Sequence, residues 1–438
     1  MRRSLVLLVT APLLAPLPSL AAATADLGST TILRLEQRDV AGHPKQDLMP
    51  ATQFLSLDAM ELGDGNLSLH ISGWGRADLA DKSYSNGSVD GSFTFGYLRY
   101  QLRPANADVR AGRFFVREGI IGEQIDGAAA RTNLPLGFSL SAFGGAPVHI
   151  KHLNGETSDG KGDSIFGGRL AYRYGGMLEL GVAGVYEGTA PVLVQHANYS
   201  RRLVGGDIWF SPITAIELLG RSSYNTETSE FAEHTYLLNL KPAQHLVLSG
   251  EFNEHRELSF LGATWARFPG MAIDPGEKSR SHGGSISYAL TKQAEICADY
   301  KQYKRSFGTA DRVGGELKLR TSDAALAGGL GYHYLRAGEN FAIGTNASGS
   351  FQELRAYLLH EAKDHFVAID AIDYLFKEHV DGEKQAWEAK FSAGYHLTAD
   401  LVLSGDVSYG QNPEHREETK GLIRLTYNAT FAPHGGKK

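Results

Sequence analysis

Apolar and polar side chains alternate with a period of two in this chain, over segments of about ten residues that recur from Thr31 to Phe431. The last segment shows it most clearly: Ile423, Leu425, Tyr427, Ala429 and Phe431 fall on one face, and Arg424, Thr426, Asn428 and Thr430 on the other. Leu401, Leu403, Gly405, Val407 and Tyr409 oppose Val402, Ser404, Asp406 and Ser408 in the same way. So do Trp387, Ala389, Phe391, Ala393, Tyr395 and Leu397 against Glu388, Lys390, Ser392 and His396. A period of two is a strand period, because successive Cβ atoms leave a pleated backbone on opposite sides. Roughly ten residues is the length a tilted strand needs to cross a bilayer, and strands of soluble sandwiches are usually shorter.

The chain has no apolar run of about 18 residues, so no helical span is expected. Hydropathy averages do not register a barrel, whose strands mix lipid-facing and lumen-facing residues. The 51 Gly, 20 Phe and 19 Tyr suit such a barrel, tyrosine being enriched where a wall meets the membrane interface.

Connection lengths give an independent test. Counted back from the C-terminus, the stretches 410–420, 377–385, 336–350, 304–311, 253–281, 225–232, 187–201, 145–163, 117–124, 80–91 and 38–52 are long. Between them lie the short stretches 397–400, 360–365, 320–323, 289–293, 241–244, 211–214, 174–176, 133–137, 103–107 and 63–65. Strict long–short alternation is the habit of outer-membrane barrels, with short periplasmic turns and longer outer loops. The expected fold is therefore an all-β, up-and-down antiparallel transmembrane barrel of about 22 strands, an even number within roughly 18–22, with both termini periplasmic and no plug domain. The stretches 51–62 and 125–132 alternate poorly.

Residues 1–25 read as a secretory signal, with Arg2 and Arg3, an apolar run and small residues at Ala21, Ala23 and Ala25, which leaves 26–438 as a single barrel domain. Cleavage after Ala23 or Ala25 removes two basic residues and no acid, so 41 basic face 49 acidic residues and the formal charge is −8. Nucleic acid is not an expected partner. Cys297 is the sole cysteine, forms no internal disulfide and is expected to point inward between Glu295 and Asp299.

Segment 423–431 resembles the C-terminal signature of bacterial outer-membrane proteins, and the resemblance implies that Tyr427 and Phe431 form the signal read by the barrel assembly machinery. Segment 109–128, VRAGRFFVREGIIGEQIDGA, resembles the strand, loop and strand common in porins. The family resemblance implies a Gram-negative outer membrane, a water-filled pore and, as in many porins, a homotrimer.

If the Phe431 face meets lipid, then Arg76, Asp78, Arg99, Arg169, Arg173, Glu179, Glu217, Arg221, Glu251, Glu295, Asp299, Glu316, Lys318, Arg320, Glu353, Arg355, Glu388, Lys390 and Arg424 point into the lumen. Arginine is in excess early, at Arg99, Arg110, Arg113, Arg131, Arg169 and Arg173, and acids gather later. Such a distribution allows either a transverse field that orients ionic solutes or a wall of mutually paired charges. The longest loop carries Phe260, Trp265, Phe268 and Met271, and an inward fold would make Trp265, Phe268 and Met271 a constriction. His149 and His152 lack a third ligand, so no metal is expected, nor any other cofactor. Neither a Gly-x-Ser-x-Gly elbow nor a phosphate loop occurs, and no enzymatic activity is expected. The leading functional reading is a porin-like channel for small polar or ionic solutes. The alternative is a sheath around a partner, since the chain also resembles barrels that house a multihaem cytochrome in outer-membrane electron conduits.

Overall fold

The computed structural model describes residues 24–40, 45–81, 88–148, 163–190, 199–256, 278–305, 308–338, 349–380, 382–413 and 415–431. Their strands are β1 (Thr24–Val40), β2 (Gln46–Leu48), β3 (Pro50–Leu62), β4 (Leu67–Asp78), β5 (Val89–Leu102), β6 (Ala107–Glu118), β7 (Ile121–Asn133) and β8 (Phe138–Pro147). There follow β9 (Ile165–Tyr174), β10 (Leu178–Ala190), β11 (Tyr199–Ile213), β12 (Ile216–Asn225), β13 (Glu230–Ala243), β14 (Leu246–His255), β15 (Ser279–Ala289) and β16 (Ala294–Arg305). The last are β17 (Gly308–Arg320), β18 (Leu326–Ala337), β19 (Phe351–Glu361), β20 (His365–Val380), β21 (Glu383–His396), β22 (Leu401–Gln411) and β23 (His415–Phe431).

Apart from β2 and β3, which both pair with β1, each strand pairs antiparallel with its neighbour in sequence, and β1 pairs with β23 from Ala25↔Phe431 to Val40↔His415, which closes the ring. The short β2 and the longer β3 follow one another along the same edge of β1 and count as one stave, so the barrel has 22. The break falls at Pro50, which has no N–H to give to the ladder. Closure leaves no edge on which backbone groups would go unpaired in lipid.

Register carries the faces round the ring. The side of β23 that bears Ile423, Leu425 and Phe431 continues through Leu403, Val407 and Tyr409 of β22 to Phe391 and Tyr395 of β21 and Ile369 of β20. These apolar side chains are exposed, as a lipid-facing wall requires. The opposite side is concave, because only there can side chains of non-adjacent strands meet: Arg312 of β17 bonds Glu353 of β19, and Arg169 of β9 bonds Asp207 of β11.

The strand count agrees with the sequence reading, but several of the expected loops do not. Stretches 410–420, 377–385 and 304–311 are mostly ladder, since β22 reaches Gln411, β20 reaches Val380 and β16 reaches Arg305, and 225–232 narrows to a four-residue turn between Asn225 and Glu230. Polar strand ends above a bilayer lose their apolar face, and with it the signal that marks them as strand. At the other end of the chain β1 starts at Thr24, seven residues ahead of the expected Thr31. Short turns lie where they were expected. At 63–66 the Asp64 carboxylate accepts the Asn66 N–H at 3.0 Å and the Tyr100 hydroxyl at 2.9 Å. Hydrogen bonds from Asn66, then from Tyr100, hold that carboxyl below its ordinary range.

Candidate pore constriction

Strands β6 and β7 form a hairpin paired from Ala107↔Thr132 to Glu118↔Ile121, with Gly119 and Ile120 as its turn. Pairing of β6 with β5 stops at Gly96↔Arg113, and pairing of β7 with β8 stops at Ile125↔Pro147. Beyond Gln124, whose carbonyl still accepts the Val148 N–H at 2.9 Å, the end of the hairpin has no strand partner but itself among the described residues and leaves the wall. It bends where the backbones are bare. Gly112 has φ 127°, open to glycine alone, and a side chain there would strike the Gly96 carbonyl. Gly127 and Gly145 face each other across β7 and β8, and a Cβ on either would collide with the other's strand.

The bend carries the tip into the barrel. Gly119 sits against Asp207 and Arg169, so close that a methyl group there would meet Asp207 Oδ2 and Arg169 Cδ. Glu118 comes within 3.6 Å of Arg131, although Arg131 pairs with Asp108, ten ladder positions below Glu118. Glu123 pairs with Arg201 of β11, which also holds Glu187 at 3.0 Å.

Two layers of contact keep the tip docked. Phe114, Val116, Ile120, Ile121 and Ile125 are buried with Phe143, Ile165, Ala183, Val185 and Leu203 of the wall, and Phe114, Ile125 and Ile165 are sealed from solvent. At about 1.5–3 kcal/mol for each large apolar side chain taken out of water, this cluster outweighs any single ion pair nearby. Beneath it Arg169 forms a fork on Asp207, 2.9 Å from Nε to Oδ2 and 2.5 Å from Nη2 to Oδ1, and reaches Glu179 Oε1 at 2.8 Å. Arg173 bonds the other Glu179 oxygen at 2.9 Å. A bidentate guanidinium fixes direction as well as charge, so the floor on which the tip rests is rigid.

Because the Ile125 face of the hairpin is turned to the wall of β8 to β11, its other face is turned away from it. That face carries Arg113, Phe115 and Arg117, with Phe115 exposed and the Arg117 guanidinium 5.8 Å from its ring.

The sequence-derived charges fall as follows. Arg99, Arg110, Arg131, Arg169, Arg173 and Arg221 share the concave side, as do Glu251, Glu295, Asp299, Glu316, Glu353 and Glu388. Nearly all are engaged locally. Asp108 bridges Arg99 and Arg110, and Arg221 holds Glu233 at 2.6 Å. Lys301 holds Glu251 at 2.5 Å. Lys318 lies 3.5 Å from Glu316 and 3.9 Å from Glu295, and Lys420 lies 3.6 Å from Glu388. Asp299 and Glu353 share Arg312 and His333, at 2.8–3.4 Å. Cys297 is on the same side, its thiol 3.2 Å from Glu295 Oε1 and from the Ser287 hydroxyl.

Arg113 is a correction. It pairs with Asp126 at 2.7 Å on the face opposite Arg110, since residues three apart on a strand point to opposite sides. Sequence reasoning also passed over Glu123, Arg201, Asp207, Arg312 and His333. The period of two would have placed the last four inward, but the contacts of Arg201 with Glu123, Asp207 with Arg169, Arg312 with Glu353 and His333 with Asp299 each cross at least one intervening strand, beyond any local pattern. Trp265, Phe268, Met271, His149 and His152 lie outside the described residues. Tyr427 and Phe431 lie on the seam strand, opposite Ser29 and Ala25.

No family model matches the chain, and no curated protein sequence matches it. Solved structures do resemble it. The translocation pore of the P pilus usher PapC superposes with a TM-score of 0.52 at 7% identity, covering 94% of this chain and 100% of that one. A mutant ferric enterobactin receptor, PfeA of Pseudomonas aeruginosa, gives 0.54 at 12%, covering 93% and 81%. OccAB4 of Acinetobacter baumannii gives 0.48 at 9%, covering 94% and 99%. At these identities the likeness is one of fold, that of the outer-membrane β-barrel.

Proposed function

We propose that this chain is a channel in the outer membrane of a Gram-negative bacterium, passing small polar or ionic solutes through a lumen narrowed by the β6–β7 hairpin. One observation carries the reading: the hairpin leaves the wall and docks its tip on Arg169 and Asp207. A ring of 22 strands is wide enough to need such an obstruction if it is to discriminate by size. The charges lining it are largely neutralised by near neighbours, which favours short local dipoles over a field across the whole lumen. Discrimination then rests on slit width first and on charge at the tip second. An obstruction built from the chain's own residues also supports a channel over a sheath around a cytochrome.

The purified protein in a planar bilayer tests this. Discrete ion-conducting steps are expected, and removing residues 116–122 should raise the step size at least about twofold. Absence of steps, or an unchanged step size in the shortened variant, would sink the proposal.

A further inference from the structure

We infer that the wall has a lateral window between β5 and β6, in the half remote from the short turns, through which an amphiphile with an apolar tail and an anionic head passes between lumen and membrane. This goes beyond axial conductance and does not depend on it.

The window follows from a shortfall in the ladder. Strand β5 runs from Val89 to Leu102 and is paired with β4 as far as Ala77↔Val89. On its other side β6 accompanies it only from Leu102↔Ala107 to Gly96↔Arg113. Residues 89–95 thus have no strand partner on that side among the described residues, because the hairpin that would have continued the wall has turned inward at Gly112. An open edge is costly in a bilayer, where no water replaces the missing bonds. Here two carbonyls of that stretch accept from side chains instead. Arg113 Nη1 donates to the Phe93 carbonyl at 3.0 Å, and Gln124 Nε2 donates to that of Thr94. Over this stretch the wall is therefore joined by two side chains and not by a continuous ladder.

The rim has the chemistry of an amphiphile site. Phe93 and Val89 are exposed on the edge, and Phe115 is exposed on the hairpin opposite. Over two of these rings lie guanidinium groups, Arg113 at 5.9 Å from the Phe93 ring and Arg117 at 5.8 Å from the Phe115 ring. Arg113 is neutralised by Asp126, whereas Arg117 has no ion-pair partner among the described residues. A cation with no ion-pair partner among the described residues, set beside exposed aromatic rings, selects an anionic head and leaves the tail to those rings and then to lipid.

The test uses the full chain in lipid nanodiscs. A nitroxide on Thr94→Cys, with Cys297→Ser removing the native thiol, should collide with dissolved oxygen more than with a water-soluble nickel chelate. A diazirine-bearing dodecanoate should then label segments 89–95 and 113–118, be displaced by unlabelled dodecanoate, and lose about fivefold in yield in Arg117→Gln but not in Arg117→Lys. Heat-modifiable migration on gels confirms that each variant is folded. A nitroxide reached only by the nickel chelate, or labelling spread evenly over the outer wall, would overturn the window. Labelling equal in Arg117→Gln and wild type would overturn the anionic head. None of these readouts uses ion conductance, so their failure is separate from failure of the channel.

Discussion

Arg201, on β11, reaches Glu123, on β7, across the three strands that separate them in the wall. No flat or gently curved sheet brings such residues together. The pair therefore reports how far the hairpin has folded in.

Glu123→Gln should loosen the tip without releasing it, because Arg201 keeps Glu187 and the apolar cluster remains. The cost to docking is about 1–2 kcal/mol, that of a charge-assisted bond in a half-exposed setting. Open-channel noise should rise in bilayer recordings, with only a modest gain in mean conductance. A trace as quiet as wild type would remove this pair from the docking contacts.

Gly119→Val should act more strongly. Gly119 has φ 60° and its missing side chain leaves the space in which Asp207 and Arg169 lie, so a branched residue is both strained and obstructed. The tip is expected to undock and single-channel conductance to rise about twofold, while the barrel keeps its thermal stability. Equal conductance would mean that the tip does not set the bore.

Arg169→Ala leaves Asp207 and Glu179 facing each other with only Arg173 to compensate. The local charge turns negative where the slit is narrow, and reversal potentials in a KCl gradient should move toward potassium selectivity by at least about twofold in permeability ratio. An unchanged reversal potential would show that ions pass elsewhere.

The fold was largely legible because lipid imposes one rule on every stave, an apolar side chain at each second place. That rule told Ile423, Leu425 and Phe431 from Arg424 and Thr426, and the alternation of long and short connections gave the number of staves. The constriction was hidden by the same rule. Phe114 and Ile125 are apolar on the concave side because they pack against Phe143 and Ile165, and a reading that expects polar residues inside takes them for noise. The poor alternation of 125–132 was the trace of that packing. Arg113 was misplaced by grouping arginines by number rather than by parity. The contacts of Arg201 with Glu123 and of Arg312 with Glu353 were out of reach, since pairs across intervening strands leave no spacing in the chain.

Phe431→Ala should lower the yield of folded barrel several-fold on expression, with normal conductance in the protein that does fold, because Phe431 sits on the outer face of the seam and far from the tip. Heat-modifiable migration measures the folded fraction. Full yield would separate the aromatic ending from assembly.

The seam has a cost in time as well. Asp26 and Thr430 are ladder partners joined by a 2.6 Å side-chain hydrogen bond near opposite ends of the described chain, and bringing such distant points of a free coil together costs about 5 kcal/mol in entropy. Hairpins form early and cheaply by comparison, so the growing sheet must wait as a curled ribbon with two raw margins until its first and last staves meet. Whatever attends the ribbon has those two margins to shield, and its task ends when Thr430 is opposite Asp26.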